Sequence, residues 1–103
     1  MLDLGLGGKV AIITGGSEGL GRAAAERLAA EGARVAICAR RPEVLELAAA
    51  GIRKAGGQVL ARSVDVTKAD QIEKFVGEVV REWGGVDILL NNAGTSAAAS
   101  FEA

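Results

Sequence analysis

The chain of 103 residues has no histidine and no tyrosine, one cysteine, one proline, one tryptophan and two phenylalanines. Without the first two it lacks the commonest general base and the phenolic proton donor, so acid–base catalysis is hard to assemble and no catalytic residue is assigned. The lone Cys38 excludes an internal disulfide and, inside an apolar run, reads as a small core residue in a reducing compartment. An excess of either charge is also missing: twelve Lys and Arg stand against thirteen Asp and Glu, a net charge of −1. That balance provides no basic field to hold nucleic acid or anionic lipid. No uncharged stretch approaches the ~20 residues of a membrane helix, and no basic segment leading into an apolar one opens the chain. The expectation is a cytoplasmic protein that binds neither nucleic acid nor membrane, with no metal-ligating set.

Glycine and small apolar residues are plentiful instead, with 15 glycines and 50% of residues hydrophobic. In VAIITGGSEGLGRAAAERL (10–28) an apolar run without polar interruption meets four glycines and passes into an alanine-rich segment of helical spacing. An uninterrupted apolar strand is one covered on both faces, the mark of a parallel sheet. In the segment that follows Gly21, Ala24 and Leu28 share a helical face with Leu20. Three further runs read as strands: Arg34–Ala39, 58–64 and 86–90. Two helices are predicted between them. Residues 42–55 open with Pro42, suited to a first helical turn, and Ala69–Trp83 carries Ile72, Phe75, Val76, Val79, Val80 and Trp83 at helical spacing. Gly32, the pair Gly56-Gly57 and the pair Gly84-Gly85 stand where left-handed caps end helices. Strand and helix therefore alternate. Right-handed crossovers then predict an α/β fold: a Rossmann-type parallel sheet with helices on both faces and strand order 3-2-1-4. Residues 95–103 read equally as a loop, a helix start or a tail.

Three motifs compete over residues 15–24. A phosphate loop of the nucleoside-triphosphatase kind needs G-x4-G-K-[ST], and Gly16 and Gly21 have that spacing, but Arg22 and Ala23 replace the Lys and the hydroxyl. The G-x-G-x-x-[GA] fingerprint fits residues 19–24, yet it stands away from the strand end at Thr14, where the ordinary fingerprint follows at once. The third reading keeps Gly15 directly after the strand and Gly19 and Gly21 at the helix start. Gly15 would permit the sharp turn, Gly19 the approach of a pyrophosphate, and Gly21 close packing of helix on strand. The plain alternative is a strand-to-helix loop that needs glycine for geometry alone. Asp65 likewise has two readings from spacing, a ligand contact at a strand end or a cap for the helix that follows.

Taken together, TGxxxGxG from Thr14, Asp65-Val66 after the third strand and Asn91-Asn92-Ala93-Gly94 after the fourth resemble the short-chain dehydrogenase/reductase family, over residues 8–94. In look the chain is most similar to the carrier-protein ketoacyl reductases. The resemblance implies an NAD(P)-dependent oxidoreductase interconverting carbonyl and alcohol by hydride transfer. It also implies that Gly15, Ser17, Gly19, Leu20 and Gly21 lie against pyrophosphate and ribose, and that Asp65 and Val66 meet the adenine. Asn91 and Asn92 would tie the fourth strand to its neighbours and, with Ala93 and Gly94, border the ribose. The acid that an NAD enzyme of this fold places at the end of the second strand is replaced by Ala39, and Arg40 follows. A guanidinium suits a 2′-phosphate, so NADP is the expected cofactor and NAD the alternative. Glu18 argues the other way, since many NADP-preferring relatives carry a basic residue there.

The family's working Ser, Tyr-x3-Lys and Asn all lie beyond the NNAG motif and have no counterpart here; Ser96 and Ser100 come too early. Residues 1–103 are therefore expected to be a partial NAD(P)-binding domain, inactive alone, from a homo-oligomeric parent that acts on a small carbonyl or alcohol. The competing reading is a self-contained, non-catalytic nucleotide-binding or regulatory module.

Overall fold

In a computed structural model of the chain, which describes residues 5–92, strands and helices alternate from end to end. They are β1 (Val10–Thr14), α1 (Gly19–Ala30), β2 (Arg34–Ala39), α2 (Pro42–Lys54), β3 (Gln58–Ser63), α3 (Ala69–Trp83) and β4 (Ile88–Asn91). The strands form one sheet in the order β3-β2-β1-β4. Every pairing is parallel: Ile12 lies opposite Ala36 and Leu89, and Ala36 opposite Leu60. The predicted order is the observed one.

Side-chain alternation along the strands splits the core in two. Ile13, Val35 and Ile37 face α1 and α2, meeting Ala25, Leu45, Ala48, Ala49 and Ile52. Val10, Ile12, Ala36 and Cys38 face α3, meeting Ile72, Phe75 and Val79. β1 is buried along its whole length, as an uninterrupted apolar strand requires. Burial also pushes the Cys38 thiol up to about 11, against a smaller lowering by the Gly15 backbone, so Cys38 stays a neutral core residue. The left-handed caps fall on Gly32, Gly56 and Gly84, in the last two cases the first glycine of a pair.

Helix α1 starts at Gly19, so Gly19 and Gly21 stand at the helix start as expected, with Leu20 between them in the first turn. Four expectations need correction. The buried face of α1 is not Leu20–Ala24–Leu28 as a whole: Gly21 and Ala25 are buried and Leu28 packs against the core, whereas Leu20 is 82% exposed. At its start the helix packs through Gly21, whose missing Cβ lets it lie against the Gly15 loop. β4 begins at Ile88, two residues late, because the Asp87 side chain accepts the Val10 N–H at 2.9 Å while the Asp87 N–H donates to the Val10 carbonyl at 2.8 Å. β3 and α2 each end one residue early, although the Val64 N–H still reaches the Ala39 carbonyl at 2.9 Å.

Phe75 is 2% exposed at the centre of the α3 face. Phe75→Ala is expected to destabilise the chain by about 3–5 kcal/mol in urea titration. The same measurement on Leu47→Ala, at a side chain 66% exposed on α2, should move stability by no more than about 0.5 kcal/mol.

Candidate functional site

All four strands point their carboxyl ends at one cleft of about 380 Å³, lined by Gly15, Ser17 and Glu18 after β1, Ala39, Arg40 and Arg41 at β2, Val64, Val66 and Thr67 after β3, and Asn92 after β4. Ligands of open α/β sheets bind at such ends, where helix N-termini add free N–H groups. The separate sequence motifs thus meet in space.

The glycine loop forms its floor. Gly15 takes φ +69°, a left-handed turn that other residues rarely adopt, and its N–H donates to the Cys38 carbonyl at 2.8 Å, fastening the loop to β2. Gly21 carries the tightest contact: a Cβ there would stand 2.2 Å from the Gly15 carbonyl oxygen and 2.6 Å from Asn92 Nδ2. Close packing at Gly21 is therefore observed, against the loop and Asn92 more than against the strand. At Gly19 a Cβ would meet nothing within 4 Å. Space is open there. No side chain caps the N-terminus of α1, and its first turn contains no acid, so the N–H groups of that turn are left for an external acceptor.

Thr14 joins the two sides of the sheet. Its hydroxyl, 2% exposed as a residue, donates to Asn91 Oδ1 at 2.9 Å and accepts the Asn92 N–H at 3.0 Å. Asn92 Nδ2 lies 3.5 Å from the Gly15 carbonyl. Asn91 and Asn92 thus tie the end of β4 to β1 and the glycine loop, in line with what the resemblance implies. Ala93 and Gly94 lie outside the described residues.

Asp65 is placed differently from Val66. Val66 lines the cleft, whereas the Asp65 carboxylate accepts both the hydroxyl of Thr67 at 2.6 Å and its backbone N–H at 3.0 Å. This closes a turn just ahead of α3, whose N-cap is Lys68. The Thr67 hydroxyl, then its N–H, then the nearby charges of Arg40 and Lys68 hold the carboxyl below the ordinary aspartate value against slight desolvation. Leu20 projects into solvent beside the cleft without lining it. Sequence reasoning missed one pairing at the rim. Glu18 and Arg41, each about two-thirds exposed, form an ion pair at 3.7 Å.

A second hollow, about 560 Å³, runs beside β4 and α3 and is lined by Ile12, Ile72, Phe75, Val76, Val80, Val86 and Leu89 with little polar surface. Of the motif residues only Thr14 borders it. Among the described residues no helix is long and apolar enough to cross a membrane.

A parallel sheet in the order 3-2-1-4, a glycine turn at its first strand end and a cleft where the strand ends converge define a dinucleotide-binding protein of the Rossmann type. A family model described as short chain dehydrogenase matches residues 9–103, and the chain belongs to that family. It is 43% identical over 86 residues to a putative ketoacyl reductase of Streptomyces coelicolor, covering 84% of this chain and 33% of the relative. Among solved structures it is similar to L-sorbose reductase from Gluconobacter frateurii complexed with NADPH and L-sorbose, with a TM-score of 0.87 and 42% identity over 96% of this chain and 38% of that one. A metagenomic short-chain oxidoreductase in complex with NADP matches with a TM-score of 0.83 and 40% identity, over 87% of this chain and 41% of the other. The chain spans about a third of the length of the curated relatives it matches.

Two outcomes follow from the cleft. Gly21→Ala should cost about 1–3 kcal/mol in chemical denaturation, because the exposed Asn92 side chain can move aside but the Gly15 carbonyl is backbone and cannot yield cheaply, whereas Gly77→Ala on the exposed side of α3, where a Cβ meets nothing, should gain about 0.5–1 kcal/mol. A carbon-detected NMR titration should find Asp65 ionising below the ordinary aspartate value, and Thr67→Val should raise it. Because the folded value is the lower one, the Asp65 contribution to stability is present above the unfolded pKa and is lost as pH falls through the folded one.

Proposed function

We propose that this chain is the cofactor-binding part of an NADP(H)-dependent oxidoreductase that interconverts a carbonyl and an alcohol, with ketoacyl reduction as one candidate reaction. The observation that carries the reading is the convergence of the glycine loop, Arg40, Val66 and Asn92 on one cleft. The residues present fit a dinucleotide phosphate. The uncapped start of α1 and the open space at Gly19 suit a pyrophosphate, with Gly15, Ser17, Gly19, Leu20 and Gly21 around it. Val66, with the Asp65 turn behind it, would flank the adenine, and Asn91, Asn92, Ala93 and Gly94 would border the ribose. Ala39 offers no carboxylate to a ribose 2′-hydroxyl, and Arg40 offers paired donors to a 2′-phosphate. Solved relatives hold NADP or NADPH, which supports that choice over NAD. The nicotinamide, when bound, supplies the hydride.

Protons must come from elsewhere. The chain has no tyrosine and no histidine, and the Ser and Tyr-x3-Lys of the family have no counterpart before Ala103. Its own residues would bind and orient the cofactor, and a further part of a longer protein would hold the substrate and move the proton. The apolar hollow beside β4 supports this division, since a run of Ile72, Phe75, Val76 and Leu89 suits further packed polypeptide. On this reading residues 1–103 are a partial dinucleotide-binding domain of a cytoplasmic, homo-oligomeric enzyme.

The test is binding without turnover. Purified chain should bind NADPH more tightly than NADH and should oxidise neither with a panel of ketones above the protein-free rate. Arg40→Ala should weaken NADPH binding by about 1.5–3 kcal/mol, as for a lost hydrogen-bonded charge, and leave NADH almost unchanged. Equal losses for both cofactors would assign Arg40 to loop support, and turnover that survives repurification would overturn the cofactor-half reading.

A further inference from the structure

The connection between β3 and α3 carries Val66 into the lining of the cleft, and its backbone N–H groups are almost all committed. Val64 donates to the Ala39 carbonyl at 2.9 Å and Lys68 to the Asp65 carbonyl at 3.0 Å, while Thr67 donates to the Asp65 carboxylate at 3.0 Å. Asp65 itself donates at 2.8 Å to Oε1 of Gln71, the third residue of α3. Among the described residues, the Val66 N–H is the one backbone donor from 64 to 68 that bonds to nothing. Gln71 does not act as an ordinary cap. A glutamine at the third helical position commonly reaches back to the N–H of the N-cap, but the Lys68 N–H is taken by the Asp65 carbonyl, and the Gln71 amide passes it to reach Asp65. The side chain is exposed and stands outside the core.

We propose that Gln71 is a positioning residue for the adenine side of the cleft, acting through Val66. The inference rests on the dinucleotide reading, in which Val66 flanks the adenine, and adds to it the side chain that sets the Val66 backbone. The Asp65 carbonyl and the Val66 N–H belong to one planar trans peptide, so they point in opposite directions. With that carbonyl held by Lys68 at the start of α3, the N–H points away from the helix start. Gln71 holds the preceding peptide by the Asp65 N–H, so both peptides that flank Asp65 are fixed and the Val66 N–H keeps one direction. A fixed, unpaired N–H at a cleft wall suits a ring-nitrogen acceptor, which adenine carries at its edge. Loss of the Gln71 acceptor frees the first peptide to turn, and the Val66 N–H loses its set direction.

The experiment is calorimetric titration of the chain with NADPH and with its hypoxanthine analogue, which keeps the sugars and phosphates but presents an N–H where adenine presents the acceptor. Wild type is compared with Gln71→Met, which fills the same length without an acceptor, and with Gln71→Glu, which restores one. Matching far-UV spectra and urea midpoints check the fold. Wild type should prefer NADPH. Gln71→Met should weaken NADPH by about two- to fivefold, the scale of one modest hydrogen bond, and leave the analogue almost unchanged. Gln71→Glu should keep the wild-type ratio. Equal losses for both ligands, or none for either, would reduce Gln71 to support of the helix start and overturn the proposal, as would a loss in Gln71→Glu as large as in Gln71→Met. If wild type binds both ligands alike, the placement of adenine at Val66 fails and the proposal with it, while the dinucleotide reading stands. If wild type binds neither, the dinucleotide reading itself falls and takes this proposal with it.

Discussion

The nucleotide end of this molecule depends on a Cβ that is not there. With Gly21 against the Gly15 carbonyl and the Asn92 side chain, the first turn of α1 comes down onto the loop that leaves β1. Any other residue would lift the helix off that loop. The close approach seats the start of α1 beside the cleft and leaves Leu20 exposed. It also makes the end of β4 part of the same contact, so the glycine loop and the asparagine pair, more than seventy residues apart in the sequence, behave as one structure. Glycine in a first helical turn forfeits backbone entropy and side-chain packing. Here the loss is offset by a geometry that only a bare α-carbon permits.

The order of elements and the sheet topology were legible because they follow from period and punctuation. An apolar run without interruption can only be a doubly covered strand, and six apolar residues at helical spacing located α3 to the residue. What escaped was any feature decided by what lies across a contact. Leu20, Ala24 and Leu28 looked like the inner face of α1, but Leu20 is exposed and the inner face runs through Gly21 and Ala25 beside Leu28, and hydrophobicity cannot flag a glycine as buried. The start of β4 moved because an aspartate side chain took over a backbone partner. Asp65 shows a further limit: an aspartate at a strand end looks the same whether it meets a ligand or closes a turn, and only Thr67 two residues on, with both its donors in reach, points to the turn.

The site residues divide by how firmly they are held. Thr14 is buried and uses its hydroxyl in both senses, as donor to Asn91 and acceptor from Asn92. A valine of the same shape would remove both bonds and leave the Asn92 N–H its 3.2 Å bond to the Thr14 carbonyl. Gly15, pinned to Cys38 through its N–H, belongs to the same rigid layer. The rim is different. Arg40, Arg41 and Glu18 are long, exposed side chains on connections between elements, and one long-range pair is the strongest link among them.

This gradient from base to rim has a physical logic. The part of a dinucleotide site that must recognise a pyrophosphate works through backbone N–H groups, which cannot be moved without unfolding the loop, so it is built from buried hydrogen bonds and a glycine contact. Discrimination between a hydroxyl and a phosphate on the ribose needs charge and little else, and charge at a solvent-facing rim can be changed by one side chain at small cost in stability. On the proposed NADP reading that discrimination would fall to Arg40, exposed at the rim, above a floor of hydrogen bonds and a glycine contact that a rim substitution does not disturb.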